Sequence, residues 1–368
     1  MRVLVIGGGI GGLTSAIALR QKGFAVDVIE RDPNWSVYGV GIIQQANVIR
    51  AMAELGILDD YLDAACAFDR VDVYIPTGQK VASVPTPKLI DGYPANVGIG
   101  RPALHKVLGD RTRAAGASVR LGVTATEWHD DGEGVDVTFS DGMTERYDLV
   151  IGADGLYSQV RQSIMPDAAD PRFVGQGVWR YNFPLSGDVG SMSVFEGPTG
   201  LGLVPTSPTQ MYMFVTTPEP GCPRYPREGL AKVMRDKLRG VPAPQIQELA
   251  GEITDDDGVV YKPLEVIFVA GPWHRGRVVL IGDAVHATTP HLGQGAGMAV
   301  EDSLVLADEL AKGGAIEAAL TAFHHRRFER CRYIVEASVR ICEAQLSGTR
   351  VDQATATKDM FEVVSQPI

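Results

Sequence analysis

The sequence predicts an α/β protein. A nucleotide-binding domain of alternating strands and helices is interrupted by an antiparallel β-sheet domain and followed by a C-terminal helical segment. Three observations carry this. Strand-turn-helix punctuation recurs at three places far apart in the chain. Between the second and third, the texture changes to short alternating runs broken by Gly, Pro and Ser. And 368 residues are comfortable for two lobes that share a cleft.

The punctuation can be followed in order. Residues 3–6 form an apolar run that enters a glycine cluster, then a helical stretch at 13–21, then a second run at 25–29 closing on Glu30. The second site is the run 149–151 leading into Gly152-Ala153-Asp154-Gly155, and the third is 278–281 leading into Gly282-Asp283. A site built from three separated segments requires another domain to be inserted between them. That insertion is assigned to 166–273 as the substrate domain, where runs at 178–183, 192–195, 201–204 and 211–216 alternate as strands do. A helix is expected at 230–238 beside this sheet. The nucleotide-binding domain then takes 1–165 and resumes at 274–346, helical after Asp302 with a break at Gly313-Gly314. The basic run 323–342 is expected to be a helix whose arginines form a solvated face, and the polar tail 347–368 carries no assignment.

Composition narrows the function. A formal charge of −11 argues against a nucleic-acid partner, which needs clustered Lys and Arg. Anionic small ligands are not excluded, because local dipoles and single arginines hold them. Cys66, Cys222, Cys331 and Cys342 lie far apart without C-x-x-C spacing. Neither a disulfide framework nor a metal site is expected, and the location expected is cytoplasmic. No stretch approaches the ~18 apolar residues that span a bilayer, so no membrane partner is expected.

Gly7-Gly8-Gly9-Ile10-Gly11-Gly12 satisfies G-x-G-x-x-G at Gly7, Gly9 and Gly12. One glycine makes the tight turn, the next lets a pyrophosphate approach bare backbone, and the third lets helix and strand pack closely. Glu30 ends the second strand where an acid bonds ribose hydroxyls, and with Arg31 it is assigned to the cofactor. The charge of Glu30 opposes a 2′-phosphate, which leaves NAD or FAD for this Rossmann-like site.

The set of motifs resembles the class A flavoprotein monooxygenases, the family of p-hydroxybenzoate, salicylate and 6-hydroxynicotinate hydroxylases. Residues 148–161 resemble its DG motif, and 277–286, continuing through Thr289-Pro290-His291-Leu292-Gly293-Gln294-Gly295-Ala296-Gly297 to Glu301-Asp302, resemble its GD motif. The resemblance covers about residues 1–340. It implies FAD as cofactor, with Gly11 also in the pyrophosphate turn, Asp283 on the ribityl chain, and Asp154 serving both FAD and NAD(P)H. It implies that Gly293, Gln294, Gly295 and Ala296 open a helix toward the flavin edge where charge collects. Arg101 would contact FAD, and Pro290 would lie against the flavin. NADH or NADPH would act as a transient electron donor without a second fingerprint. With O2 as co-substrate, a small aromatic or heteroaromatic molecule would be hydroxylated through a flavin C4a-hydroperoxide.

Candidates for the substrate pocket follow. Gln44 resembles a polar position in the family's loop beside the flavin, and Tyr212 one that faces the substrate ring. Arg180 and Tyr181 are neighbours in one strand, so one alone faces inward: Arg180 would suit an anion, Tyr181 a neutral phenol. His291 and His286 flank the flavin loop, either as a base for a phenol or as hydrogen-bonding anchors. Alternatives on the same scaffold are an FAD-dependent epoxidase and a non-catalytic FAD-binding redox sensor. A halogenase is disfavoured because Trp179 and Trp273 stand alone, without W-x-W-x-I-P.

Overall fold

The computed structural model describes residues 1–187, 189–349 and 352–368. The chain begins β1 (Arg2–Ile6), α1 (Ile10–Gln21), β2 (Ala25–Glu30), β3 (Gly41–Gln45), α2 (Ala46–Glu54) and α3 (Leu58–Asp63). Next come β4 (Cys66–Phe68), β5 (Arg70–Tyr74), β6 (Lys80–Pro85), β7 (Asn96–Gly100), α4 (Arg101–Ala114) and β8 (Ser118–Leu121). A meander of β9 (Ala125–Asp130), β10 (Val135–Phe139) and β11 (Thr144–Tyr147) leads to β12 (Leu149–Gly152) and α5 (Gln159–Ile164). The middle segment holds β13 (Arg172–Pro184), β14 (Met192–Phe195), β15 (Leu201–Ser207), β16 (Gln210–Pro218), α6 (Leu230–Leu238), α7 (Pro244–Glu252) and β17 (Val260–Val266). The chain closes with β18 (His274–Arg275), β19 (Val278–Leu280), α8 (Asp283–His286), a 3-10 turn (Pro290–Leu292), α9 (Gly295–Ala311), α10 (Ile316–Ser347) and α11 (Gln353–Val364).

The first sheet has the order β18-β19-β12-β1-β2-β8. Its strands β19, β12, β1, β2 and β8 run parallel, and the central ones, β1, β12 and β19, are buried on both faces, as a helix-covered parallel sheet demands. Register brings the three motifs together. Ile6 pairs with Gly152, and Gly152 pairs with Leu280. The three turns therefore leave the same carboxyl edge side by side, where open α/β sheets bind their ligands. Helices α1 and α9 pack together over this edge.

The second sheet has the order β17-β13-β16-β15-β14-β5-β6. Its strands from the middle segment pair antiparallel, as expected, but β5 and β6 come from residues 70–85, well before the insertion at 166–273. β5 pairs parallel with β14, covering what would otherwise be an open edge. Strand alternation gives this sheet two unlike faces. Trp179, Phe183, Leu203, Met211, Met213 and Val215 pack on α6 and α7 in a separate core. The other face looks toward the first sheet.

The basic helix is solvated as expected along Arg326, Arg332 and Arg340, but two of its arginines are not. Arg327 is 0% exposed and pairs with Glu301 and Asp302 at 2.7 and 2.8 Å, and Arg330 is 8% exposed. The acids of α9 lie directly under α10, so these arginines neutralise them. The tail holds the helix α11. Arg330 donates to the Val363 carbonyl at 2.5 Å and Arg50 to the Ser365 carbonyl at 3.0 Å.

Candidate active site

At the carboxyl edge of the first sheet, facing the second, lies a cavity of about 2250 Å³. The fingerprint turn forms its floor. Gly7 has φ +113°, and a Cβ there would meet the Ala153 carbonyl oxygen at 2.4 Å; one on Gly12 would meet the Gly7 carbonyl oxygen at 1.9 Å. Both positions require glycine for packing inside the protein. Around Gly9 no atom lies within 4 Å of an added Cβ, so that position is open toward the cavity. The Glu30 carboxylate accepts the Gly8 N–H at 2.8 Å and so shapes the turn. Arg31 is exposed and does not line the cavity. Trp35 and His105, which sequence reasoning passed over, both meet the Gly8 carbonyl, at 2.9 and 3.0 Å.

In the second turn, Ala153 and Gly155 line the cavity, whereas the Asp154 carboxylate caps α5. It accepts the Ser158 hydroxyl at 2.5 Å and the Gln159 N–H at 2.8 Å. Asp154 thus organises the turn from behind, in place of the ligand contact expected. Buried Arg161 ties this turn to the third by donating to the carbonyls of Ala284 at 2.7 Å and Leu156 at 2.9 Å.

Asp283 stands at the cavity wall, open to the cavity itself, and its place within the protein body raises its pKa. Behind it, the Asp302 carboxylate accepts the Gly282 N–H at 2.9 Å, meets His286 Nε2 at 2.6 Å and receives Arg327 Nε at 2.8 Å. Burial alone would push Asp302 up, but His286 and Arg327 outweigh it and hold the carboxyl at about 2. His286 is fully buried and lines no part of the cavity, so it is an anchor of the third turn and not a base for substrate.

The loop after this turn lines the cavity with Thr289, Pro290, His291, Gly293, Gly295 and Ala296. Both nitrogens of His291 are engaged. Nε2 lies 3.1 Å from Gln345 Oε1, which also accepts from Gln176 and Thr216; Nδ1 lies 2.9 Å from the Thr289 hydroxyl. Nε2 is therefore the donor, Nδ1 the acceptor, and burial lowers the ring to about 4. A neutral ring without a free lone pair serves as a tether between the loop and α10, which corrects the reading of His291 as a base. The Gln294 side chain turns away from the cavity to Gln45 and Asn47. Gln44 is 1% exposed, accepts from the Tyr61 hydroxyl at 2.5 Å and does not reach the cavity; its neighbour Gln45 does. The polar residue of this loop was displaced by one position, because side-chain direction alternates along β3.

The cavity-facing side of the second sheet settles the pair left open by the sequence. Arg180 lines the cavity, together with Val178 from its own strand and Tyr212, Phe214 and Thr216 from β16. Tyr181 points the other way, its ring 5.1 Å from that of Phe183. Among the described residues Arg180 has no carboxylate partner. Burial, reinforced by Arg101, lowers its pKa to about 10, which leaves it fully charged at neutral pH. Arg101 opens α4 beside the same cavity, and Tyr212 is packed against Gly41.

These residues fit FAD: an open glycine at the fingerprint, a carboxylate at the wall, a helix start with free N–H groups, and a cavity spanning both sheets. The chain belongs to the family described as FAD binding domain, whose model matches residues 1–338, and it is an FAD-dependent monooxygenase that draws electrons from NAD(P)H. Among its relatives, the aurachin C monooxygenase/isomerase of Stigmatella aurantiaca is 32% identical over 356 residues, 93% of this chain and 88% of that one. The FAD-dependent urate hydroxylase of Klebsiella pneumoniae is 30% identical over 354 residues, covering 93% and 90%. The crystal structure of Klebsiella pneumoniae HpxO with FAD and uric acid superposes with a TM-score of 0.84 at 27% identity, covering 100% of this chain and 93% of that one. Among the described residues no helix is long and apolar enough to cross a membrane.

Proposed function

We propose that this monooxygenase hydroxylates a small aromatic or heteroaromatic substrate bearing an acidic group, gripped by Arg180. The observation that carries this is a charged guanidinium without a carboxylate partner, on the cavity face of the sheet and beside the Tyr212 ring. A cation so placed favours an anion, because its own burial is otherwise uncompensated. Two relatives support the class: uric acid is bound by HpxO, and another neighbour (TM-score 0.79, 26% identity) is the 2-methyl-3-hydroxypyridine-5-carboxylic acid oxygenase.

When bound, FAD accepts electrons from NAD(P)H and activates O2. The protein's own work is position and electrostatics. Gly9 and the start of α1 would take the pyrophosphate, Asp283 would meet the cofactor's linker, and Arg101 would contact the cofactor from the same cavity. The N–H groups opening α9 at Gly295 and Ala296 would stabilise negative charge collecting on the reduced ring. Pro290 and Tyr212 line the same cavity and would wall the reacting ring, with the two sheets limiting water around it. His291 holds the loop in place and takes no proton from substrate. All four cysteines are free thiols, which supports a reducing compartment such as the cytoplasm.

The test is NAD(P)H oxidation by the flavin-loaded enzyme across benzoates, hydroxypyridine carboxylates, purines and neutral phenols, with hydroxylated product and H2O2 both quantified. Acidic aromatics are expected to give product in preference to neutral ones. Product from isolated alkenes, with none from any aromatic, would transfer the reading to an epoxidase. NAD(P)H oxidation at background with every compound, despite bound FAD, would favour a redox sensor.

A further inference from the structure

The cavity face of the second sheet continues well past Arg180, and its character changes along the way. The strand registers define two rows across the sheet. One runs Arg180, Phe214, Gly202, Val194, Val73, each residue paired with the next. The other runs from Tyr212 through Val204 on β15 and Met192 on β14 to Val71 and Val84. Beyond Arg180 neither row carries a charge. Strands stand ~4.8 Å apart, so the stretch from Phe214 to Val73, three strand steps, is roughly 14 Å long.

Phe214, Met192, Val194, Val71 and Val73 all line the cavity, and each is only partly buried. The same strands are covered on their opposite face by α6 and α7. Here an apolar strip is left open, continuous with the site and reaching the surface at Val84, which is 50% exposed. Apolar surface exposed inside a ligand cavity marks a place where apolar ligand is buried.

We propose that this strip is a second substrate subsite, taking an apolar chain attached to the aromatic head. The substrates would be amphipathic: an acidic aromatic ring at Arg180 and Tyr212, and an alkyl arm lying over Phe214, Met192, Val194, Val71 and Val73 toward Val84. The position of the head rests on the function proposed above; the strip stands on the sheet register and the cavity wall.

The experiment titrates the FAD-loaded enzyme with 4-n-alkylbenzoates from methyl to octyl, and with the matching 4-n-alkylphenols, reading Kd from the change in flavin absorbance. Each added methylene is expected to lower Kd by about two- to fourfold until the chain reaches the mouth, as burial of one CH2 group implies. Val194→Phe fills the strip and Val73→Glu places a charge in it. Both are expected to flatten the chain-length dependence and leave the Kd of 4-methylbenzoate unchanged, which also shows that they fold. A Kd independent of chain length in the unsubstituted enzyme would overturn the subsite, as would a slope that survives both substitutions. If the benzoates fail to bind while the phenols show a slope that both substitutions flatten, the acidic head is wrong and the apolar subsite stands.

Discussion

Replacing Gly9 with Ala should separate cofactor binding from folding. The backbone at Gly9 has φ −83° and ψ −171°, an extended conformation open to any residue. An added Cβ meets no atom within 4 Å. The remaining effects on the fold oppose one another: Ala reduces the entropy of the unfolded chain, worth about 0.4–1 kcal/mol, and is a poorer helix N-cap by a similar amount. Stability of the FAD-free protein should therefore stay within about 1 kcal/mol. The methyl instead occupies the space by which pyrophosphate reaches the N–H groups of α1. Loss of one hydrogen bond to a charged group costs about 1.5–3 kcal/mol, or roughly a 10- to 150-fold weaker Kd for FAD. Gly12→Ala is the control, because its Cβ would lie 1.9 Å from the Gly7 carbonyl oxygen and the fold itself must shift. The assay is thermal melting of the deflavinated variants together with titration of FAD by fluorescence quenching. The reasoning fails if Gly9→Ala melts as early as Gly12→Ala, or if it binds FAD as tightly as the unsubstituted protein.

Three further outcomes follow from the site. Arg180→Met should raise KM for carboxylate substrates by roughly 10- to 150-fold and leave neutral phenols nearly unchanged; equal losses for both would remove Arg180 as the anion grip. His291→Gln should lower turnover by less than about tenfold and raise the share of NAD(P)H lost to H2O2, because its role is to tether the loop; a loss of 100-fold or more would restore it as a base. Asp302→Asn leaves buried Arg327 and His286 short of a counter-charge and should cost about 3–5 kcal/mol at neutral pH, with weakened FAD retention. The sign of its pH dependence follows from the carboxyl held at about 2, below its unfolded value of about 3.9. Asp302 therefore stabilises the fold above pH ~4 and loses that contribution as pH falls toward 2, so the gap in melting temperature between the two proteins should close over that window.

What could be read from the sequence was local, and what could not depended on facing. The three glycine-bearing turns are local chemistry, so their residues could be assigned one by one. Their convergence needed only the rule that parallel strands present their carboxyl ends at one edge, which the pairing of Ile6 with Gly152 and of Gly152 with Leu280 then shows. Strand direction offers no such rule. Arg180 and Tyr181 differ by one position, and the choice between them rests on which face α6 and α7 cover. Gln44 gave way to Gln45 for the same reason. The α11 tail is held partly by its carbonyls, which every sequence possesses, through Arg50 and Arg330, and its buried apolar residues Met360 and Val364 are too few to announce a helix face.

The misread arginines bear on how the site is stabilised. A run of basic residues on a helix reads as solvated, since nothing local supplies a buried partner. Here the partners are Glu301 and Asp302, the acids that end the third motif. Asp302 receives Arg327 on Oδ1 and meets both His286 and the Gly282 N–H through Oδ2. Glu301 joins Arg327 to Asn47, which in turn meets Gln294 at the start of α9. A single buried ionic network thus reaches both turns that bracket the flavin loop. Such a network is a poor source of net stability compared with apolar packing, since desolvation offsets most of its attraction. Its retention is better explained by geometry: it fixes Gly282 beside Asp283 and Gln294 beside Gly295 in one arrangement. Asp302→Asn should therefore loosen FAD at temperatures well below global unfolding, and FAD release coincident with unfolding would argue for plain structural support instead.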